Sequence, residues 1–158
     1  MSFTADLNEI LGQVEPEKPV LRVVDPVPAP PPEASPALKE WDRCKPWIES
    51  ALEGTFYKID DIEAMLKRPH NPAQFWPGKT CALVTEVQQH GTEKVLFCWA
   101  AGSEKGDMAE ILALAPGIEA VGRLMGCSYA MSEGRSGWQK IMKPYGYEVA
   151  SVVLKKAL

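Results

Sequence analysis

The apolar and polar positions of this chain are organised around residues 95–126. Val95, Leu96, Phe97, Cys98, Trp99 and Ala100 form a run that is apolar on both faces, as a central strand covered on two sides requires. Met108, Ile111, Leu112, Leu114, Ala115, Ile118, Val121, Leu124 and Met125 then recur at helical spacing over one broad face. A strand feeding such a helix is half of an α/β sandwich, and the loop between them, 101–107, is where many such folds hold a phosphate.

The remaining pattern supplies the layers around this unit. Leu38, Trp41, Trp47, Ile48 and Leu52 predict a helix that begins at Ser35-Pro36, is kinked or split by Pro46 and ends at Gly54. A second helix is predicted over 59–68, capped by Asp60 or Asp61, with Ile62, Met65 and Leu66 inward and Lys67 and Arg68 at its negative end. Residues 74–76 read as a short edge strand cut by Pro77-Gly78. Residues 80–87 and 94–100 read as a hairpin around a turn at 88–93 that contains Gly91. Pro116-Gly117 is expected to kink or restart the long helix. A strand at 128–132, a short helix at 137–143 and a final strand at 147–154 complete the order, with strand 128–132 expected beside strand 94–100, parallel to it and splayed near the loop.

Residues 1–36 break this pattern. They carry Pro16, Pro19, Pro26, Pro28, Pro30, Pro31, Pro32 and Pro36, and only two short apolar clusters: Phe3, Leu7, Ile10 and Leu11, then Val20, Leu21, Val23 and Val24. Such a stretch favours extended polyproline II and cannot build a core. Composition alone reads as a linker. The two clusters also suit an arm laid across another protein, with the proline tract reaching roughly 30 Å back to the domain at about 3.1 Å per residue. The division expected is therefore an arm, 1–36, that binds a partner, and a domain, 37–158.

Charge follows the same boundary. The arm has six acids against two bases, so it carries the whole formal −4, while the other 15 acids and 15 bases cancel. No basic face is evident, and nucleic acid is not an expected partner. No run of 18 or more apolar residues occurs and the acidic start is unlike a signal peptide, so neither a membrane span nor export is expected. Cys44, Cys81, Cys98 and Cys127, without a Cys-x-x-Cys pair and with only His70 and His90 beside them, read as reduced core thiols rather than as a metal site.

Three short motifs carry a family resemblance: Met125-Gly126-Cys127, then Gly134-Arg135-Ser136-Gly137-Trp138, then Tyr145-Gly146-Tyr147. With the element order, they make residues 38–158 resemble the GNAT-type acyltransferase fold, and more closely the GNAT-like small proteins encoded by tailed bacteriophages. The resemblance implies an α/β (α+β) fold, a twisted, mixed, mainly antiparallel sheet flanked by helices. In active members of the family the loop after the central strand reads Gln or Arg-x-x-Gly-x-Gly or Ala and binds the coenzyme A pyrophosphate. Here Ser103-Glu104-Lys105-Gly106-Asp107-Met108 agrees only at Gly106, and Glu104 and Asp107 put carboxylates where the pyrophosphate would lie. The proton-donating tyrosine of active members is replaced by Met142. Glu86, the carboxylate nearest the central strand, reads as a solvated residue near a hairpin end.

Two functions are compatible with these departures. The first is a non-catalytic bacteriophage virion component, present in several copies and anchored by its arm to capsid, portal, tail or ejection proteins. It would use no cofactor, and would reside in the virion and, during assembly, in the host cytoplasm. The second is an N-acetyltransferase using acetyl-CoA, with Ser103, Lys105, Gly106 and Arg135 as the binding residues. No catalytic residue is assigned. The five tryptophans read first as core or interface anchors, and Arg135 as equally suited to cap a carbonyl.

Overall fold

The structure is a computed structural model that describes residues 36–158. Both apolar clusters of the arm, and with them its expected partner contacts, lie outside the described residues.

A 3₁₀ turn at Pro36–Glu40 leads into helix α1 (Trp41–Leu52), followed by α2 (Ile59–Leu66), strands β1 (Gln74–Pro77), β2 (Cys81–His90) and β3 (Glu93–Ser103), then α3 (Ala109–Leu124), β4 (Tyr129–Ser132) and α4 (Gly137–Met142). The sheet order is β1-β2-β3-β4. β1 and β3 are each antiparallel to β2, whereas β4 is parallel to β3, from Val95 opposite Tyr129 to Cys98 opposite Ser132. A parallel neighbour requires a crossover, and α3 is that crossover.

Each face of the sheet buries one helical layer. Trp41, Cys44, Ile48 and Leu52 recur along α1 and pack with Ile62 and Leu66 of α2 on Phe75, Ala82, Val84 and Ala100. On the other face Ile111 and Ile118 of α3 pack on Cys81, Leu83 and Leu96, with Trp138 of α4 beside them. Two-sided cover explains why β2 and β3 are apolar on both faces. Gly102 sets the closeness of the first layer: a Cβ there would overlap the carbonyl oxygen of Trp47 and lie 2.5 Å from its carbon.

The helices differ from expectation in informative ways. Pro46 neither kinks nor splits α1; the break falls earlier, between Glu40 and Trp41, where the 3₁₀ turn ends. Pro46 is exposed, so its missing N–H costs one hydrogen bond on the solvent side while the buried face runs on. Pro116 is likewise exposed within a continuous α3. The residue before α2 is Lys58, whose N–H donates to Asp61 Oδ2 at 2.8 Å, so Asp61 acts from inside the first turn rather than as the cap itself.

The hairpin is longer than the pattern indicated, running to His90 and resuming at Glu93. The final strand expected at 147–154 does not form. Gly146 turns the chain at φ +86, and the Tyr147 hydroxyl donates to Glu119 Oε1 of α3 at 2.8 Å, which draws the segment towards the helical layer and away from the β4 edge.

Candidate functional site

The region to test lies where the parallel pair opens. β4 leaves β3 after Ser132, opposite Cys98, while β3 continues to Ser103. At that point β3 also carries a bulge: Val84 pairs with Ala100 and Thr85 with Cys98, leaving Trp99 without a partner across from β2. A bulge re-aims the side chain it contains. The Trp99 indole turns to the α1–α2 face, where its Nε1 donates to Glu86 Oε2 at 2.9 Å and its ring meets those of Tyr57 and Phe97 edge-on at 4.8 Å.

Glu86 corrects the sequence reading. It is 5% exposed, not solvated, and its carboxylate accepts from Arg68 Nη1 at 2.6 Å, Gln88 Nε2 at 2.9 Å and Trp99. Burial pushes this carboxyl up, but the three donors and the Arg68 charge outweigh it and hold it below its ordinary value. Only the sheet pairing, which shields this position between two covered faces, distinguishes it from the exposed polar residues further along the hairpin.

The four predicted binding residues come to one end of the sheet. Ser103 is half-buried at the end of β3, and Lys105 and Gly106 lie in the turn Glu104–Gly106. Arg135 follows β4 in an exposed loop, and because β3 and β4 are parallel both loops emerge at the carboxyl ends of their strands. The Arg135 carbonyl accepts from the Trp138 N–H at 2.9 Å. Consecutive positive φ values, 55° at Lys105 and 72° at Gly106, shape the turn, and a Cβ on Gly106 would meet nothing within 4 Å.

Glu104 is exposed in the turn itself, whereas Asp107 and Glu110 are committed locally. Asp107 Oδ1 accepts from the Ala109 N–H at 2.9 Å, occupying one of the free amides that begin α3. Glu110, which the sequence reading did not single out, turns to the β1–β2 connection, where the Thr80 hydroxyl and the N–H groups of Lys79 and Thr80 each donate at 2.7 Å. Those donors, the hydroxyl first, hold its carboxyl down to about 2. Gly78 allows this approach, since a Cβ there would stand 2.9 Å from Glu110 Oε1. Beside it an open cleft of about 620 Å³ is lined by Glu40, Arg43 and Lys79 among others.

On the α3 face, Cys98 stands where β4 leaves β3. Cys98 is half-buried and its thiol donates to the Ala100 carbonyl across the bulge at 3.6 Å, with burial pushing its pKa up to about 12. Tyr147 is half-buried; burial, then its hydrogen bond to the Glu119 carboxylate, push the phenol well above its ordinary value. Tyr147 lay within a quoted motif, but a helix partner 28 residues away has no signature in sequence. Met142 is buried and has no proton to give. Among the described residues, no group of three His, Cys, Asp or Glu side chains is placed to hold a metal ion, and no helix is long and apolar enough to cross a membrane.

No family model matches the chain, and no curated protein matches it. Solved structures do. The aminoglycoside N-acetyltransferase AAC(6')-Iy in complex with CoA is similar with a TM-score of 0.55 at 14% identity, over 77% of this chain and 88% of that one. The fold is that of the GNAT acyltransferases. AAC(6')-Iy bound to the bisubstrate analogue CoA-S-monomethyl-acetylneamine gives 0.54 at 14% identity, covering 77% and 90% of the two chains. A tetramutant of the BH1408 protein from Bacillus halodurans gives 0.56 at 7% identity, covering 77% and 96%. The expectation of no cofactor is corrected by these findings, since the acetyltransferase neighbours were solved with CoA or a CoA conjugate in place.

Proposed function

We propose that the GNAT-like domain binds acetyl-CoA and acts as an N-acetyltransferase. The opening of β3 from β4 carries this reading, because it leaves the β4 side of β3 unpaired beyond Cys98, next to a turn that holds Lys105, with Arg135 in the loop after β4. The residues fit the group in part. Gly106 leaves room for a phosphate to approach the backbone, Lys105 and Arg135 supply positive charge, and Ser103 adds a hydroxyl. Asp107 works against it by taking up one helix amide with a negative group.

When bound, acetyl-CoA supplies an acyl group activated as a thioester. In acyl transfer to an amine the C–N bond forms, the C–S bond breaks, and the departing sulfur takes a proton. The attacking amine loses one proton as the departing sulfur gains one, so the transfer balances; Met142 has none to give, and Tyr147 commits its own to Glu119.

Calorimetric titration and a thermal shift with acetyl-CoA test the reading. The melting temperature is expected to rise, since ligand at a hundred times its Kd adds about 2.7 kcal/mol. Asp107→Asn is expected to tighten binding and Lys105→Glu to weaken it, each by about tenfold. No heat and no shift at about 1 mM ligand, the concentration matching a binding energy near −4 kcal/mol, would rule the reading out.

A second reading, a bacteriophage virion protein tethered through its arm, is favoured by the composition of residues 1–36, whose apolar clusters are too short and too interrupted by proline to bury themselves. The two readings concern different parts of the chain. Deleting residues 1–24 is expected to leave the domain folded but absent from assembled particles. Incorporation at normal levels, measured by mass spectrometry of purified particles, would reduce the arm to a linker.

A further inference from the structure

The connection between α1 and α2 presents aromatic side chains that the core does not claim. Phe56 is 74% exposed, and Tyr57 beside it is 38% exposed although its ring meets the Trp99 indole edge-on at 4.8 Å. Lys155, in the segment after α4, reaches this connection and sets its ammonium 5.2 Å from the centre of the Phe56 ring. A cation within about 6 Å of an aromatic face is attracted by the ring's quadrupole. Among the described residues Lys155 makes no ion pair, so the ring is the partner that places it. The one other cation set over a ring among those residues is Arg43, so Lys156, next in the chain and also exposed, has no such seat.

The Phe56 ring adjoins the opening of β3 from β4 through two residues. Tyr57 follows Phe56, its ring touches Trp99, and Trp99 is the bulged residue of β3 just past Cys98, where the pairing with β4 ends. The α3 face of this region is packed with Leu96, Cys98, Ile111, Ile118 and Trp138, which leaves the α1–α2 face as the way in for an amine. Lys155 therefore holds a primary amine on the side from which an acceptor reaches a thioester at the opening.

We propose that Lys155 is an acetylation site of the chain itself, its Nζ taking the acetyl group from acetyl-CoA bound at the opening of the same molecule. The inference rests on the acyltransferase reading. The C–N bond forms between Nζ and the acetyl carbon as the C–S bond breaks, and the ammonium gives up two protons, one to the departing sulfur and one to solvent. Holding the amine within its own molecule makes the step unimolecular, an advantage that the other exposed lysines lack. Once acetylated, the side chain carries no charge for the ring to hold, and the contact with Phe56 is released.

The full chain, incubated with excess acetyl-CoA and read by site-resolved mass spectrometry, provides the test, with a thermal shift recorded on the same samples. Lys155 is expected to gain an acetyl group at least about tenfold faster than Lys156, with a rate constant that does not change as the protein is diluted. Phe56→Leu keeps an apolar side chain at an exposed position but removes the ring, and is expected to bring Lys155 down to the rate of Lys156; Phe56→Tyr is expected to keep the difference. In the chain unfolded by urea the two lysines are expected to react alike. A thermal shift without preference for Lys155, a preference that survives Phe56→Leu or urea, or a rate constant that falls in proportion to dilution would overturn the inference and leave the acyltransferase reading standing. No shift and no acetylation would overturn both.

Discussion

Gly102→Ala is expected to be the most destabilising single-methyl substitution in the domain. The added carbon would enter the Trp47 carbonyl, with the carbonyl carbon 2.5 Å away and the Ile48 nitrogen 3.2 Å away. These are backbone atoms of α1 with no rotamer to relax into, so relief requires α1 to lift off β3. Lifting it opens the contact of Ile48 and Leu52 with Ala100 and Val84. Overpacking of this kind costs about 3 kcal/mol, and the expected fall in melting temperature is roughly 10 °C for a domain of this size. Gly106→Ala is the control. That position lies four residues further on, with nothing within 4 Å, and only its φ of +72 resists a side chain. Its cost is expected to be about 1 kcal/mol. Equal losses for the two variants, read by thermal denaturation, would show that the approach of α1 to β3 is not what requires glycine at 102.

This contrast marks what the sequence could and could not convey. The glycines at 102 and 106 look alike as letters. One is required by a helix whose Trp47 carbonyl lies 55 positions upstream, the other by a local turn, and only the second kind of constraint leaves a trace in neighbouring residues. The two-sided apolar run at 95–100 and the 3.6-residue recurrence in α3 were legible because a strand and a helix each impose a period on their own sequence. The parallel placement of residues 129–132 beside 95–98 followed from the crossover between them. Residues 147–154 were misread for a related reason: their pattern calls for a strand, but pattern specifies burial, not the chain that supplies it.

The candidate site divides along the same line. Ser103, Lys105, Gly106 and Arg135 were named from the family resemblance, and the fold places them in loops that follow the parallel strands β3 and β4. Asp107 was expected to oppose a pyrophosphate by its charge, and it also occupies the Ala109 amide at the start of α3, a contact that the sequence did not show. Glu119, Glu110 and the Glu86–Arg68–Trp99 network were missed in these roles, since each depends on a partner 13 or more residues away.

Arg68→Ala is expected to lower stability at pH 7 by about 2 kcal/mol. Breaking a fully buried ion pair costs about 3–5 kcal/mol, but the Arg68 side chain is 41% exposed and water screens part of the attraction, which places this case lower. The variant keeps the Gln88 and Trp99 donors but leaves the buried Glu86 carboxylate without its counter-charge. The pH dependence identifies the cause. In the wild type the Glu86 carboxyl is held below its ordinary value of 4.5. Its ionised form therefore adds stability at pH values above 4.5, and that contribution is lost as the pH falls through the lowered value. In the variant, burial acts with less opposition and the carboxyl moves up, so ionising it on raising the pH adds less stability or removes some. Melting temperatures of the two proteins are expected to differ most at neutral pH and to converge as the pH falls through the lowered Glu86 value. A gap that stays constant across this range would mean that Arg68 contributes through the packing of its methylenes on α2 and not through Glu86. The network would then be irrelevant to how Trp99 is held at the bulge.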